Sequence, residues 1–170
     1  MARKNYQIEK QRLLQALVDV RQRIFNRCRP LDRAIVVTPF LGHWSIMELL
    51  AHLSGWDLAN KEAAEAILAG RLPAFYQHHD QDWRTFNQIL VQRHLKAEFE
   101  SLLASVEGTH QSLIIFLETI PAGEFYKDRG LRFKGYKVLL SRLVAAEAED
   151  EADHLEQIET FLARSQLNGL

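Results

Sequence analysis

The sequence predicts an all-α protein, an antiparallel four-helix bundle with long connectors, folded as a single domain over residues 1–170. Three observations carry this. Gly and Pro are sparse, 8 and 4 in 170 residues. Between them lie long segments whose apolar residues recur at steps of three and four, the helical period. Strand-like runs are rare, and Ala34–Val37 is the one β-branched patch. Amphipathic segments without a sheet bury their faces against each other, and this length suffices for a real core.

The first helix is expected over about Asn5–Arg27. Leu13, Leu17, Val20 and Ile24 form its apolar stripe, and Pro30 ends it. Ala34–Val37 reads as part of a connector reaching Trp44. The second helix has a strong start signal in "WSIMEL", residues 44–49. Ser45 and Glu48 form a capping box, with Trp44 and Leu49 at the hydrophobic-staple positions. Ile46, Leu49, Leu50, Leu53, Trp56, Ala64 and Ile67 make its apolar face, and Gly70 and Pro73 close it.

A loop, "RLPAFYQHHDQDW", leads to a third helix over about Asp82–Thr119, with Gly108 as a candidate kink because glycine weakens a helix interior. Pro121 follows its end. The turn-rich "AGEFYKDRGLRFKG" precedes a last helix over about Tyr136–Arg164. The connectors are long for bundle hairpins. They could cross an end of the bundle or cap a cavity.

Composition excludes some functions. Lys plus Arg is 21 and Asp plus Glu is 22, a net charge of -1. That balance argues against a nucleic-acid binder, which shows a basic surplus. The single cysteine, Cys28, allows no intrachain disulfide and fits a reducing compartment. No signal-peptide pattern or membrane-spanning apolar run is visible. A soluble cytoplasmic protein is expected.

The last helix poses the functional question. Tyr136, Leu140, Leu143, Glu147, Asp150, His154, Ile158 and Phe161 fall on one stripe, apolar at both ends and ionisable in the middle. A charge removed from water costs several kcal/mol (order of magnitude) unless paired or ligated. Asp150 and His154 are one turn apart on one face, a spacing that can offer two ligands to one metal. The second helix offers His52. The third offers His94, on the stripe of Trp83, Phe86, Asn87 and Leu90. Two imidazoles and a carboxylate with open positions would suit Zn²⁺, Ni²⁺ or Fe²⁺. The same spacing equally describes a solvated face or a buried Asp–His hydrogen bond.

At these residues the chain resembles a known family. "WSIMELLAHLSGW" (44–56) and "DEADHLEQI" (150–158) are similar to the two signatures of the DinB/YfiT-like superfamily of four-helix proteins. Those signatures are a Trp-Ser helix start with a His seven residues into the helix, and a terminal H-x-x-x-H-x-x-Q-I. The resemblance implies a divalent metal held by three side chains. His52 matches the first ligand and His154 the last, while Asp150 stands where the family has its middle histidine. Gln157 and Ile158 match the motif's tail. It also implies thiol-dependent transferases or isomerases, hence a low-molecular-weight thiol, a small reactive substrate, and a homodimer.

Other candidates each have a plainer alternative. Glu147 could be a general base toward an activated water, or a carboxylate at a wet mouth. His94 could shuttle protons, or be a satisfied core residue. Asn87 and Asp57 could orient a ligand imidazole. His78 and His79, with Asp80 and Asp82, could bind metal, or be an exposed loop. Arg27 and Arg29 could depress the Cys28 pKa, or Cys28 could be a small apolar filler. Trp44, Trp56 and Trp83 could line a pocket, or be core. "KDRGLRFKGYK" could bind an anion or nucleic acid, or be a solvated connector. The leading expectation is a metal-dependent hydrolase or thiol-dependent transferase that activates a water or a thiol. The alternatives are a metal-free bundle that sequesters a small molecule, and a structural or dimer-forming protein.

Overall fold

The computed structural model describes residues 5–78 and 82–167, with side chains in the last helix to Ser165. Helix α1 spans Tyr6–Cys28, and Asn5 caps it by accepting from the amides of Gln7 and Ile8. Arg33–Val36, within the stretch expected as a connector, forms a one-turn helix, α2, because Asp32 accepts from the Ile35 amide. Helix α3, Ile46–Leu68, starts on the expected capping box of Ser45 and Glu48. A 3-10 turn at Ala74–Gln77 seats Phe75. Then come α4 (Arg84–His94), α5 (Phe99–Thr119), α6 (Ala122–Phe125) and α7 (Leu140–Leu167).

Two boundaries differ from the sequence expectation. The expected third helix is two helices, broken at Leu95 where ψ turns to 135°. Unbroken, its 38 residues would run about 57 Å, against about 35 Å for the 23-residue α3 beside it. α4 runs back along α3, and the break at Leu95 lets α5 turn the other way. The two helices close tightly at Gly55, where a β-carbon would stand 2.7 Å from Leu90 Cβ. Gly108 lies inside unbroken α5 and faces open space, so it marks no break. The last helix begins at Leu140 rather than Tyr136. Tyr136–Lys137 (β2) pairs antiparallel with Arg132–Phe133 (β1). Lys134 and Gly135 both have positive φ, the hairpin turn of type I′. Tyr136 is therefore 72% exposed and off the apolar stripe.

Contacts between helices set their directions. Arg21 meets Glu151 and Arg27 meets Glu159, so α1 and α7 run parallel. Asp57 meets Thr109 and Lys61 meets Ser112, so α3 and α5 run parallel. His52 meets His154 and Asn60 meets Glu147, so the two pairs oppose each other. α4 supplies the return that lets α3 and α5 run the same way.

The core has two apolar ends. Ile24, Leu49, Leu102 and Ile158 belong to one. Leu17, Ile67, Leu117 and Leu140 belong to the other. Between them lies a layer of buried polar side chains: Arg21, His52, Asp57, Asn60, His110, Glu147, Glu151 and His154. The ionisable middle of the α7 stripe is this layer. Among the described residues, no helix is long and apolar enough to cross a membrane.

Candidate functional site

Helix periodicity puts Asp150 and His154 on one face of α7, and the opposed α3 brings His52 to meet them. The two imidazole Nε2 atoms lie 3.3 Å apart. Asp150 Oδ2 is 3.4 Å from His154 Nε2 and 3.9 Å from His52 Nε2. Two ligands at ~2.1 Å from one tetrahedral ion sit about 3.4 Å apart. The triangle therefore has the right size for three ligands of one ion, and the donor set, two nitrogens and one oxygen, suits a first-row divalent metal.

His154 is oriented from behind. Its Nδ1 lies 2.8 Å from Gln157 Oε1. An amide oxygen can only accept, so Nδ1 carries the proton and the Nε2 lone pair faces His52 and Asp150. On the other side, the Trp44 ring lies 5.0 Å from the His52 ring. His52 Nδ1 is buried without a hydrogen-bond partner among the described residues.

Burial lowers the pKa of His52, favouring the neutral form that ligation needs. Burial alone would raise Asp150, but hydrogen bonds to His154 and His52 outweigh it and hold the carboxyl below its ordinary range. His154 is pulled down by burial and raised further by Asp150, with a net upward shift. The His52 and His154 side chains are almost fully buried, while that of Asp150 is 56% exposed. The cluster is thus open on the Asp150 side.

It also borders a cavity of about 330 Å³. Trp44, Trp56, Phe75, Tyr76 and Trp83 supply rings to its wall, and Asn60, Asn87 and Glu147 supply polar groups. All three tryptophans of the chain line it. Glu147 is buried, and Asn60 Nδ2 donates to its Oε2 at 2.6 Å. Burial first, then the nearby Glu151 and Asp57 carboxylates, push the Glu147 pKa well above its ordinary value.

A second acidic cluster, Asp57, His110 and Glu151, lies deeper. Its cation is already there. Arg21 is fully buried and donates to Glu151 at 2.6 and 2.8 Å and to Asp57 at 2.9 and 3.1 Å. Thr109 Oγ1 adds a bond to Asp57 at 2.8 Å. Burial would lower the Arg21 pKa, but the two carboxylates raise it more strongly. This is a structural ion network joining α1, α3 and α7.

The remaining sequence candidates fall elsewhere. His94 ends α4, against α3 at Gly55, and is not among the cavity-lining residues. Asp57 binds Arg21 rather than a ligand imidazole. Asn87 accepts from Trp56 Nε1 at 2.9 Å. Burial pushes the Cys28 thiol up to about 12, the reverse of the depression that Arg27 and Arg29 could have caused. His78 packs its ring on Phe86, while His79 and Asp80 lie outside the described residues. In the basic connector, Asp128 pairs with Arg132 and Lys137, and Glu124 with Lys127 and Arg129. These pairs neutralise much of its charge.

Sequence reasoning missed Arg21, Glu151 and Asn60, and gave Gln157 no task. One signal was available. Arg21 sits four residues after Leu17 and three before Ile24, on the very stripe read as apolar.

A family model described as the DinB superfamily matches residues 16–158, a span that contains both short motifs. Searches of curated proteins and of solved structures return no significant match.

Proposed function

The chain belongs to the DinB superfamily, and from that premise we propose that it is a divalent-metal-dependent enzyme acting on a small molecule held in the aromatic cavity. One observation carries the reading: ligand atoms of His52, Asp150 and His154 converge from two helices at the mouth of that cavity. These three residues would hold Zn²⁺, Ni²⁺ or Fe²⁺. The ion would supply Lewis-acid polarisation. The chain's own residues do the rest. Gln157 aims the His154 lone pair inward. The exposed side of Asp150 leaves room for water or a low-molecular-weight thiol to approach. Burial and the neighbouring carboxylates raise the Glu147 pKa, which favours its protonated form; with Oε2 accepting from Asn60, Oε1 is the atom that would offer a proton, so Glu147 serves as an acid. The reaction is then transfer of a water or thiol nucleophile to an electrophilic substrate, as a hydrolase or thiol-dependent transferase. A cytoplasmic location and a homodimer belong to the same reading. The lone cysteine supports the first and the exposed Ile115 on α5 fits the second.

The test is zinc titration into tag-free, chelator-treated protein, with His52→Ala and His154→Ala as controls. One ion per chain is expected, lost in both variants. An unchanged melting curve with and without zinc, and no binding, would sink the reading. A metal-free ligand-binding bundle would then stand. One feature favours that second reading: Asp150, His52 and His154 can satisfy one another by hydrogen bonds.

A further inference from the structure

The cavity beside the metal ligands has a chemistry of its own. Trp44, Trp56 and Trp83 stand in its wall, and no Lys or Arg is among its lining residues. Trp56 meets Trp83 edge-on, with ring centroids 6.1 Å apart, and Phe75 at 5.2 Å. Such walls accept flat, apolar molecules. At about 330 Å³ the space lies at the small end of ligand sites.

Beyond the three candidate ligands, polar groups in the wall are few and partly committed. Asn60 donates to Glu147 Oε2, which leaves Glu147 Oε1 without a hydrogen-bond partner among the described residues. Asn87 spends its Oδ1 on Trp56, and its amide nitrogen has no partner among the described residues. A ligand that covers Glu147 Oε1 without pairing it would leave a buried polar group unpaired, at about 1–3 kcal/mol, so a ligand that pairs with Glu147 is favoured over one that does not.

We propose that this cavity binds a neutral aromatic molecule carrying a hydrogen-bond acceptor such as a carbonyl, with the ring among the tryptophans and the acceptor on the Glu147 carboxyl. This rests on the proposed function for its placement beside the reaction centre, but not for binding itself. Charge decides between the ligand classes. An anion finds no Lys or Arg in the wall, and the two wall histidines already face the Asp150 carboxylate, which itself repels a negative charge. An organic cation would suit the rings, but the wall's one depressed carboxylate, Asp150, is taken up by His52 and His154, and burial beside two further carboxylates favours the neutral form of Glu147. A neutral acceptor meets a donor.

The tryptophans make the test direct, since all of them report on this cavity. The tag-free full chain, stripped of metal by chelator, is titrated with benzamide, benzoate, benzyltrimethylammonium and toluene, followed by tryptophan fluorescence and calorimetry. Benzamide should bind tightest. Glu147→Gln should keep it, because its amide oxygen can accept from Asn60 while its NH₂ donates to the ligand. Glu147→Leu should weaken benzamide by about tenfold, the scale of one buried hydrogen bond, and keep toluene. Benzoate or the ammonium binding tighter than benzamide in wild type overturns the proposal, with no variant needed. So does benzamide affinity unchanged in Glu147→Leu, or no binding of any probe. A zinc arm separates the two readings. Benzamide binding without zinc binding removes only the metal reading. Zinc binding without benzamide binding removes only this one.

Discussion

His52 and His154 are 102 residues apart in sequence, yet their Nε2 atoms lie 3.3 Å apart. Two neutral imidazoles cannot both point lone pairs at each other at that distance without a proton or a cation between them. Gln157 removes one option by holding the His154 proton on Nδ1. Either His52 donates, or His154 carries a second proton on Nε2 beside Asp150, or an ion sits among the three ligands.

Gln157 therefore offers a test of the metal reading away from the ligands. Gln157→Leu should lower zinc affinity about 10- to 100-fold, the usual cost of losing a bond behind a ligand. Asp150→Ala should lower it more, and Asp150→His should retain it. With zinc at 100 times the wild-type Kd, the wild type gains about 2.7 kcal/mol, and Asp150→Ala should lose most of that gain. Competition with a chromogenic chelator measures the affinities. Equal affinity in wild type and Gln157→Leu would remove Gln157 from the site.

Arg21 should be among the costliest side chains to remove. Arg21→Met leaves Asp57 and Glu151 buried without their cation. The expected loss is about 3–5 kcal/mol, read as a lowered urea midpoint with unchanged slope. A loss near that of a surface arginine would mean the network is dispensable.

Glu147 gives the stability of the fold a pH dependence of known sign. Its folded pKa is raised well above its ordinary value, chiefly by burial. The folded state thus binds the proton more tightly than the unfolded state. Stability is highest below the unfolded pKa of about 4.3 and falls as pH rises toward the folded pKa. Glu147→Gln removes this slope. Its melting temperature relative to wild type should therefore be more favourable at pH 8 than at pH 5, by calorimetry in metal-free buffer. A constant difference across that range would mean Glu147 is ionised in the fold.

Cys28 should be silent. It is fully buried, and burial pushes its thiol up to about 12. A chromogenic disulfide at pH 8 should titrate no thiol in native protein and one after denaturation. Rapid labelling of the native chain would show that the end of α1 opens.

Much of this molecule follows from local rules that a single chain carries. The start of α3 is one example, because Ser45 and Glu48 cap amides within their own turn. The spacing of Asp150 and His154 is another, because 3.6 residues per turn puts both on one face. The two short motifs also placed His52 and His154 in one site. What lay beyond local rules involves partners far apart in sequence. Nothing in "HLKAEFE" breaks a helix by itself. The chain turns at Leu95 because α4 packs against α3 at Gly55, where two helices can close only with no β-carbon between them. Arg21 read as a stray charge on an apolar stripe until Asp57 and Glu151 came to it from two other helices. Glu147 read as a base or as a carboxylate at a wet mouth, until packing buried it beside two further carboxylates that push its pKa up. A helix dictates which of its own side chains share a face. Which faces meet, and in what dielectric, is decided when the helices pack, and that decides protonation and ligation.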